Sequence, residues 1–226
     1  MMNRYLTLFF SIPKTIYFNL RCFDLRVAIK FPVIVSYRVH LKGIRKGIIV
    51  INTDSVKTGM IRFGISDGSY QKGRGGESSL AFAENARMIL HGGAIIANRF
   101  AINLCNNSTL ILGEDFSSNY NLTISCGKKI KFGSHCMLGW DCTFIDGDGH
   151  LLMSMSGDKV LNEPDEIVIG DHVWIASETA FLKGSKIGNN NVIGFRSTVL
   201  NEVKGENCVI SGTPARVIRT NINWVR

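Results

Sequence analysis

From Ile169 onward the chain repeats every six residues, reading IGDHVW, IASETA, FLKGSK, IGNNNV, IGFRST and VLNEVK. The first position of each unit is large and apolar: Ile169, Ile175, Phe181, Ile187, Ile193 and Val199. With such residues at roughly one in three, six successive hits in one register arise by chance about once in 700 trials. The second position holds Gly170, Ala176, Gly188 and Gly194, and the fifth holds Val173, Thr179, Ser185, Ser197 and Val203. The same period runs upstream as FGSHCM, LGWDCT and FIDGDG from Phe132, Leu138 and Phe144, with weaker copies around LILGEDFSSNYNLTIS and back through residues 80–105.

A period of six is neither that of a helix nor that of a simple hairpin. It suits short strands that turn after every six residues, with one apolar side chain pointing inward and a small residue at the corner. Successive coils then stack in parallel about 4.8 Å apart and pair their backbone groups, giving a β-solenoid with a column of apolar residues inside. Cys136 and Cys142 fall in the fifth position and read as compact core residues.

Composition agrees with one globular unit, since 226 residues with 45% hydrophobic and 19% charged content can bury a core. The six cysteines, Cys22, Cys105, Cys126, Cys136, Cys142 and Cys208, form no CxxC pair and no tight cluster. Free thiols in a reducing, cytoplasmic compartment are expected, rather than disulfides or a zinc ribbon. Residues 1–53 carry nine Lys and Arg against Asp24 alone, and the rest of the chain carries seventeen of each sign. The whole net charge of +8 therefore sits at the N-terminus. There apolar clusters alternate with cations, and the uncharged run Tyr5 to Pro13 is too short to span a bilayer. Such a segment can lie on an anionic membrane surface at the inner face, meet an acidic partner, or dock its apolar residues on the main body with its charges in water. The body is neutral, and no nucleic-acid partner is expected.

Three stretches carry a resemblance: the [LIV]-G-x-x-[STAV]-x units, the VWIA run at 173–176 and the closing SGTPARVIR at 211–219. Together they resemble the hexapeptide-repeat acyltransferases, most nearly the galactoside and maltose O-acetyltransferases and the polysaccharide O-acetyltransferases, over roughly residues 80–219. The resemblance implies an all-β fold, a left-handed parallel β-helix, although periodicity itself does not set the hand and the general rule for parallel crossovers favours the right. The expected organisation is a basic N-terminal segment (1–46), a β-helix (47–215) with a loop insertion (146–166), and a short C-terminal tail (216–226). The resemblance also implies a homotrimer with active sites between subunits, acetyl-CoA as donor, no metal, and a sugar or polysaccharide acceptor.

Between Phe144 and Ile167 the rhythm stops, and the interruption opens with IDGDGH. A long loop inside a compact solenoid is more often functional than accidental. Acyl transfer to a neutral hydroxyl needs a base, and an imidazole with an unperturbed pKa of about 6.5 can take the proton and pass it on. In the resembling enzymes the catalytic histidine occupies this loop, which carries over to His150. His135 and His172 occupy the fourth repeat position and read as outward turn residues, while His40 and His91 have no supporting motif. A calcium reading of the loop fails, because counted from Asp146 the fifth, sixth and twelfth positions are His150, Leu151 and Gly157. Asp146 or Asp148 is a candidate to orient the imidazole, and both are equally candidates for plain turn residues.

The resemblance supplies the remaining site. Asn121 in SNYNLT matches an asparagine near the acyl group, with a corner ladder role as the alternative. Trp174 matches a tryptophan lining the cleft, and Ser177 and Phe195 match positions that contact the coenzyme. Arg216 and Arg219 match cations near its phosphates, or else belong to a solvated tail. Leu200, Asn201 and Glu202 stand where many relatives have Thr-Lys-Asp, so one lysine contact is absent. Two rivals remain on the same scaffold: a gamma-class carbonic anhydrase, weakened because His135 and His150 are fifteen apart, and a non-catalytic glycan-binding solenoid. The glycine-rich SDGSYQKGRGGESS at 66–79 lacks P-loop and dinucleotide spacing and reads as a turn or surface loop.

Overall fold

The computed structural model describes residues 4–65 and 76–226. Most of the glycine-rich stretch, residues 66–75, lies outside the described residues. Within them, strands β1 (Val33–Val35) to β23 (Ala215–Arg219) wind around three faces. Every third strand returns to the same face. One sheet runs from β1 to β22 (Val209–Gly212), a second from β2 (Val39–Lys42) to β20 (Thr198–Val199), and a third from β3 (Ile49–Ile51) to β21 (Glu202–Val203). Neighbours pair in parallel, as in Ile130↔Ile167 and Thr143↔Ala180, until β23 turns back antiparallel on β22. The coil begins at Val33, inside the segment 1–46 that the rhythm set apart, and the first strands are joined by connections of unequal length, which hide the period.

The repeat columns acquire physical roles. Ile169, Ile175, Phe181, Ile187, Ile193 and Val199 are all buried in the axial core. Phe144 and Phe181, register partners on successive coils, stack at 4.8 Å, the coil spacing itself. The fifth column does more than fit the corner. Ser108, Thr179 and Ser197 donate their hydroxyls to the carbonyls of Cys105, Ala176 and Gly194 at 2.8, 2.7 and 2.7 Å. Asn191 likewise donates to Gly188 O at 3.1 Å. Cys136 and Cys142 place weaker thiol donors on Gly170 O and Ala176 O at 3.2 and 3.4 Å. A buried corner carbonyl needs such a partner, and a small side chain with one donor supplies it. The second column is small for a steric reason: a Cβ on Gly133 would lie 2.5 Å from the carbonyl carbon of Gly170, and one on Gly170 2.8 Å from that of Gly188.

The N-terminal segment folds into α1 (Arg4–Cys22) and α2 (Leu25–Ala28), which the alternation of apolar and basic residues did not reveal. Helix α1 closes the open edge of β1 with a polar stripe. Ser11 Oγ accepts from Tyr37 N at 3.0 Å, Thr15 Oγ1 from Val35 N at 3.1 Å, and Asn19 Oδ1 from Val33 N at 3.3 Å. Asn19 Nδ2 also donates to Val33 O at 2.7 Å. Four helical residues rise about 6 Å and two strand residues about 6.6 Å, so positions spaced by four on the helix meet alternate residues of the strand. The docked face therefore combines these polar contacts with Phe18 and Cys22, which enter the core as apolar docking requires, while Phe9, Ile12, Ile16 and Leu20 face outward.

Candidate functional site

The interruption leaves the solenoid after β14 (Thr143–Ile145) and rejoins it at β15 (Ile167–Ile169), at the corner between the second and third sheets. Its outer part doubles back as a small hairpin, with Met153 bridging Val160 and Gly157 turning at φ 76°. Two anchors hold its base. Asp146 is fully buried, and its carboxylate accepts from the backbone N–H groups of Gly127, Lys128 (3.0 Å) and Lys129 (2.7 Å). Asn162, also buried, donates to His150 O at 2.7 Å and to Asp148 Oδ2 at 2.8 Å, and accepts from Leu152 N at 2.7 Å. Lys183 from the next coil binds Asp148 at 2.5 Å and Asn162 O at 3.1 Å. The bond from Lys183, then that from Asn162, holds the Asp148 carboxyl below the usual carboxylate range.

These contacts clamp the backbone of His150 on both sides and leave its side chain exposed. Both candidate aspartates are committed elsewhere: Asp146 caps backbone donors and Asp148 pairs with Lys183. Asn162 and Lys183, the residues that shape the loop, had no motif to announce them. Their only sequence signal is chemical, an amide and a cation flanking an irregular segment.

The other candidates lie elsewhere on the same chain. Trp174, on β16 (Trp174–Ile175) of the first sheet, turns its indole outward and is 39% exposed. Ser177 follows at the corner between the first and second sheets, where its Oγ accepts from Trp140 N at 3.0 Å. Phe195, 55% exposed, occupies the same edge one coil further, with the Arg196 guanidinium 5.0 Å from its ring. Asn121 sits lower on this edge at φ 65° and donates to Asp141 on the next coil, a corner ladder contact. Arg216 and Arg219 extend from β23 into solvent at the end of the first sheet. The structure thus groups Trp174, Ser177 and Phe195 along one edge, with Asn121 below and the arginines above. It does not bring His150 to them, because the second sheet separates the two corners.

His135 and His172 stand at φ 59° and 53° on the corner opening the first sheet, as their repeat position indicated. His172 has a further partner: Trp224 of the C-terminal tail stacks on it at 4.1 Å, donates Nε1–H to His172 O at 3.0 Å, and lies 6.1 Å from Trp174. Arg226 then reaches Asp115 at 2.5 Å and Ser117 at 2.7 Å. The expected tail is thus a return strand followed by a strap along the corner. All six cysteines are free, and burial pushes the Cys126, Cys136 and Cys142 thiols up to about 12.

Three parallel sheets and crowded corner glycines make the coil a parallel β-solenoid, and likeness to solved structures gives it the hexapeptide-repeat, left-handed β-helix class. Residues 166–201 match the family model described as bacterial transferase hexapeptide (six repeats). The chain is similar to the galactoside O-acetyltransferase of Escherichia coli strain K12, at 32% identity over 120 residues, 50% of this chain and 54% of that protein. It is also similar to the polysialic acid O-acetyltransferase of Neisseria meningitidis, at 35% identity over 119 residues, 53% of this chain and 55% of that protein. Each match spans about half the length of the relative. Among solved structures, the polySia specific acetyltransferase NeuO superposes with a TM-score of 0.63 at 22% identity, covering 86% of this chain and 73% of that one, which shows the fold.

Proposed function

We propose that the protein is an acetyl-CoA-dependent O-acetyltransferase acting on a sugar hydroxyl of a surface polysaccharide or its precursor. The observation that carries this reading is the clamped loop: between β14 and β15 the solenoid leaves its rhythm, and a buried asparagine there holds the backbone of an exposed histidine. His150 takes the acceptor hydroxyl proton as that oxygen attacks the thioester carbonyl. The C–S bond breaks, and the imidazolium returns the proton to the leaving thiolate. The likeness to sugar O-acetyltransferases supports the acceptor class. Trp174 and Phe195 offer exposed aromatic faces and Arg216 and Arg219 exposed cations, a surface suited to a nucleotide-bearing thioester with phosphates. Asn121 is a candidate polar helper whose amide already serves Asp141.

In this reading the working form is a homotrimer in the cytoplasm. One chain keeps His150 and the Trp174 edge on opposite sides of the second sheet, so a second copy completes the cleft. The test is thiol release and acetyl transfer from acetyl-CoA to an oligosaccharide. The variant His150→Ala loses at least about a hundredfold in kcat with its mass in solution unchanged. Near-normal transfer by that variant refutes the assignment. Mixed trimers of His150→Ala and Trp174→Ala regain partial activity if the site is shared between subunits.

A further inference from the structure

Helix α1 docks through a mixed face, Phe18 and Cys22 among polar residues, and leaves a second apolar face outside. Its docked face carries Ser11, Thr15 and Asn19 on the edge of β1, and the single cation between Arg4 and Arg21, Lys14, turns its Nζ inward to Tyr37 O and Val39 O at 2.6 and 2.8 Å. The outer face is left with Phe9, Ile12, Ile16 and Leu20, a ridge repeating every three or four residues with no charge within it. Phe9 is 65% and Leu20 55% exposed, and Leu25 of α2 and Ile29 just after it add two more exposed side chains. An apolar ridge of this length is not a cost that water-facing helices ordinarily carry.

Its rim is cationic. Arg21, Arg26 and Lys30 are exposed at the end of the ridge, while the nearby acid, Asp24, is paired with Lys46 at 2.5 Å. Among the described residues no helix is long and apolar enough to cross a membrane. We propose that α1 and α2 seat the protein on an anionic lipid bilayer, with the outer ridge of α1 in the headgroup boundary and Arg21, Arg26 and Lys30 against the headgroups. Charge decides against a second copy of this chain as occupant. A copy facing the ridge brings the same cationic rim, and the rest of the chain carries seventeen residues of each sign, with no net negative charge to draw that rim in. The inference does not depend on acyl transfer.

The experiment is flotation of the full-length protein with vesicles of phosphatidylcholine alone and of phosphatidylcholine with phosphatidylglycerol, at low and raised salt. Wild type binds the anionic vesicles at low salt, about tenfold or more above the neutral ones, and releases as salt rises. Ile16→Gln with Leu20→Gln touches only the outer ridge and loses about tenfold in partition with an unchanged circular dichroism spectrum and melt. Arg21→Gln with Arg26→Gln and Lys30→Gln weakens binding and flattens its salt dependence. Failure of wild type to float with anionic vesicles overturns the proposal, as does full binding by the ridge variant. A ridge variant that changes the mass in light scattering instead assigns the face to contacts between copies, which also overturns it. Acetyl transfer in solution serves as a separate readout, so loss of vesicle binding is distinguishable from loss of the enzyme reading.

Discussion

Asp146 offers the sharpest separation between a structural and a catalytic role at the loop. In the fold its carboxylate has no access to solvent and, among the described residues, no ion-pair partner, and it accepts from three consecutive backbone donors, Gly127, Lys128 and Lys129. A bond to an ionised acceptor contributes about 1.5–3 kcal/mol, and a donor left without a partner costs about 1–3 kcal/mol. Asp146→Ala strands all three donors at the base of the loop. These donors are only partly buried and some water reaches them, so a loss of about 4 kcal/mol is expected rather than the full sum. Asp146→Asn keeps one oxygen but turns an amide NH2 toward at least one backbone N–H, for about 2–3 kcal/mol. Such losses are a large share of a typical 5–15 kcal/mol. Urea unfolding followed by circular dichroism, at fixed protein concentration because assembly feeds the midpoint, reads them. Hydrogen exchange at the amides of 127–129 localises them, since protection there falls first. A loss below about 1 kcal/mol for Asp146→Ala refutes the argument. Full stability of Asp146→Asn with abolished acetyl transfer returns Asp146 to the role of orienting His150.

Two further outcomes follow from the same contacts. With Cys126, Cys136 and Cys142 raised to about 12 by burial, and Cys22 likewise, these thiols stay protonated and shielded at pH 8. A chromogenic disulfide reagent therefore titrates Cys105, the one exposed cysteine, quickly in the native protein and all six after unfolding; two or more fast native thiols contradict the packing. Asp148 has a lowered folded pKa, so its tie to Lys183 is fully present above the ordinary carboxylate value and is lost as pH falls through the lowered one. Loop amide shifts followed by nuclear magnetic resonance should move with a midpoint below about 3.9. A midpoint at or above that value shows that Asp148 is not engaged.

How much of this was legible before the structure depends on whether a contact repeats. The coil was readable because every turn solves one problem in the same way, an apolar residue inward and a small donor at the corner, so Ile169 and Thr179 have counterparts one coil away. The site of the loop was readable for the same reason, as the place where the solution lapses. Its construction was not, because Asn162 reaches back 12 residues to His150 and Lys183 reaches back 35 to Asp148, each contact made only once. A spacing that occurs once leaves no period to read.

The N-terminal helix fails for a different reason, and the reason generalises. Orienting a helix from sequence assumes that the partner surface is apolar, so that the apolar stripe turns inward. Here the partner is the end of a solenoid, where β1 presents the unpaired N–H and C=O groups of an edge strand. Against such an edge the inward stripe must satisfy those groups, and Ser11, Thr15 and Asn19 do so beside the buried Phe18 and Cys22. Once they dock, geometry alone turns Phe9, Ile16 and Leu20 to the opposite side. A helix that caps a β-solenoid should therefore be read with its hydroxyl and amide stripe inward, and the fate of its apolar stripe becomes a separate question about what lies outside.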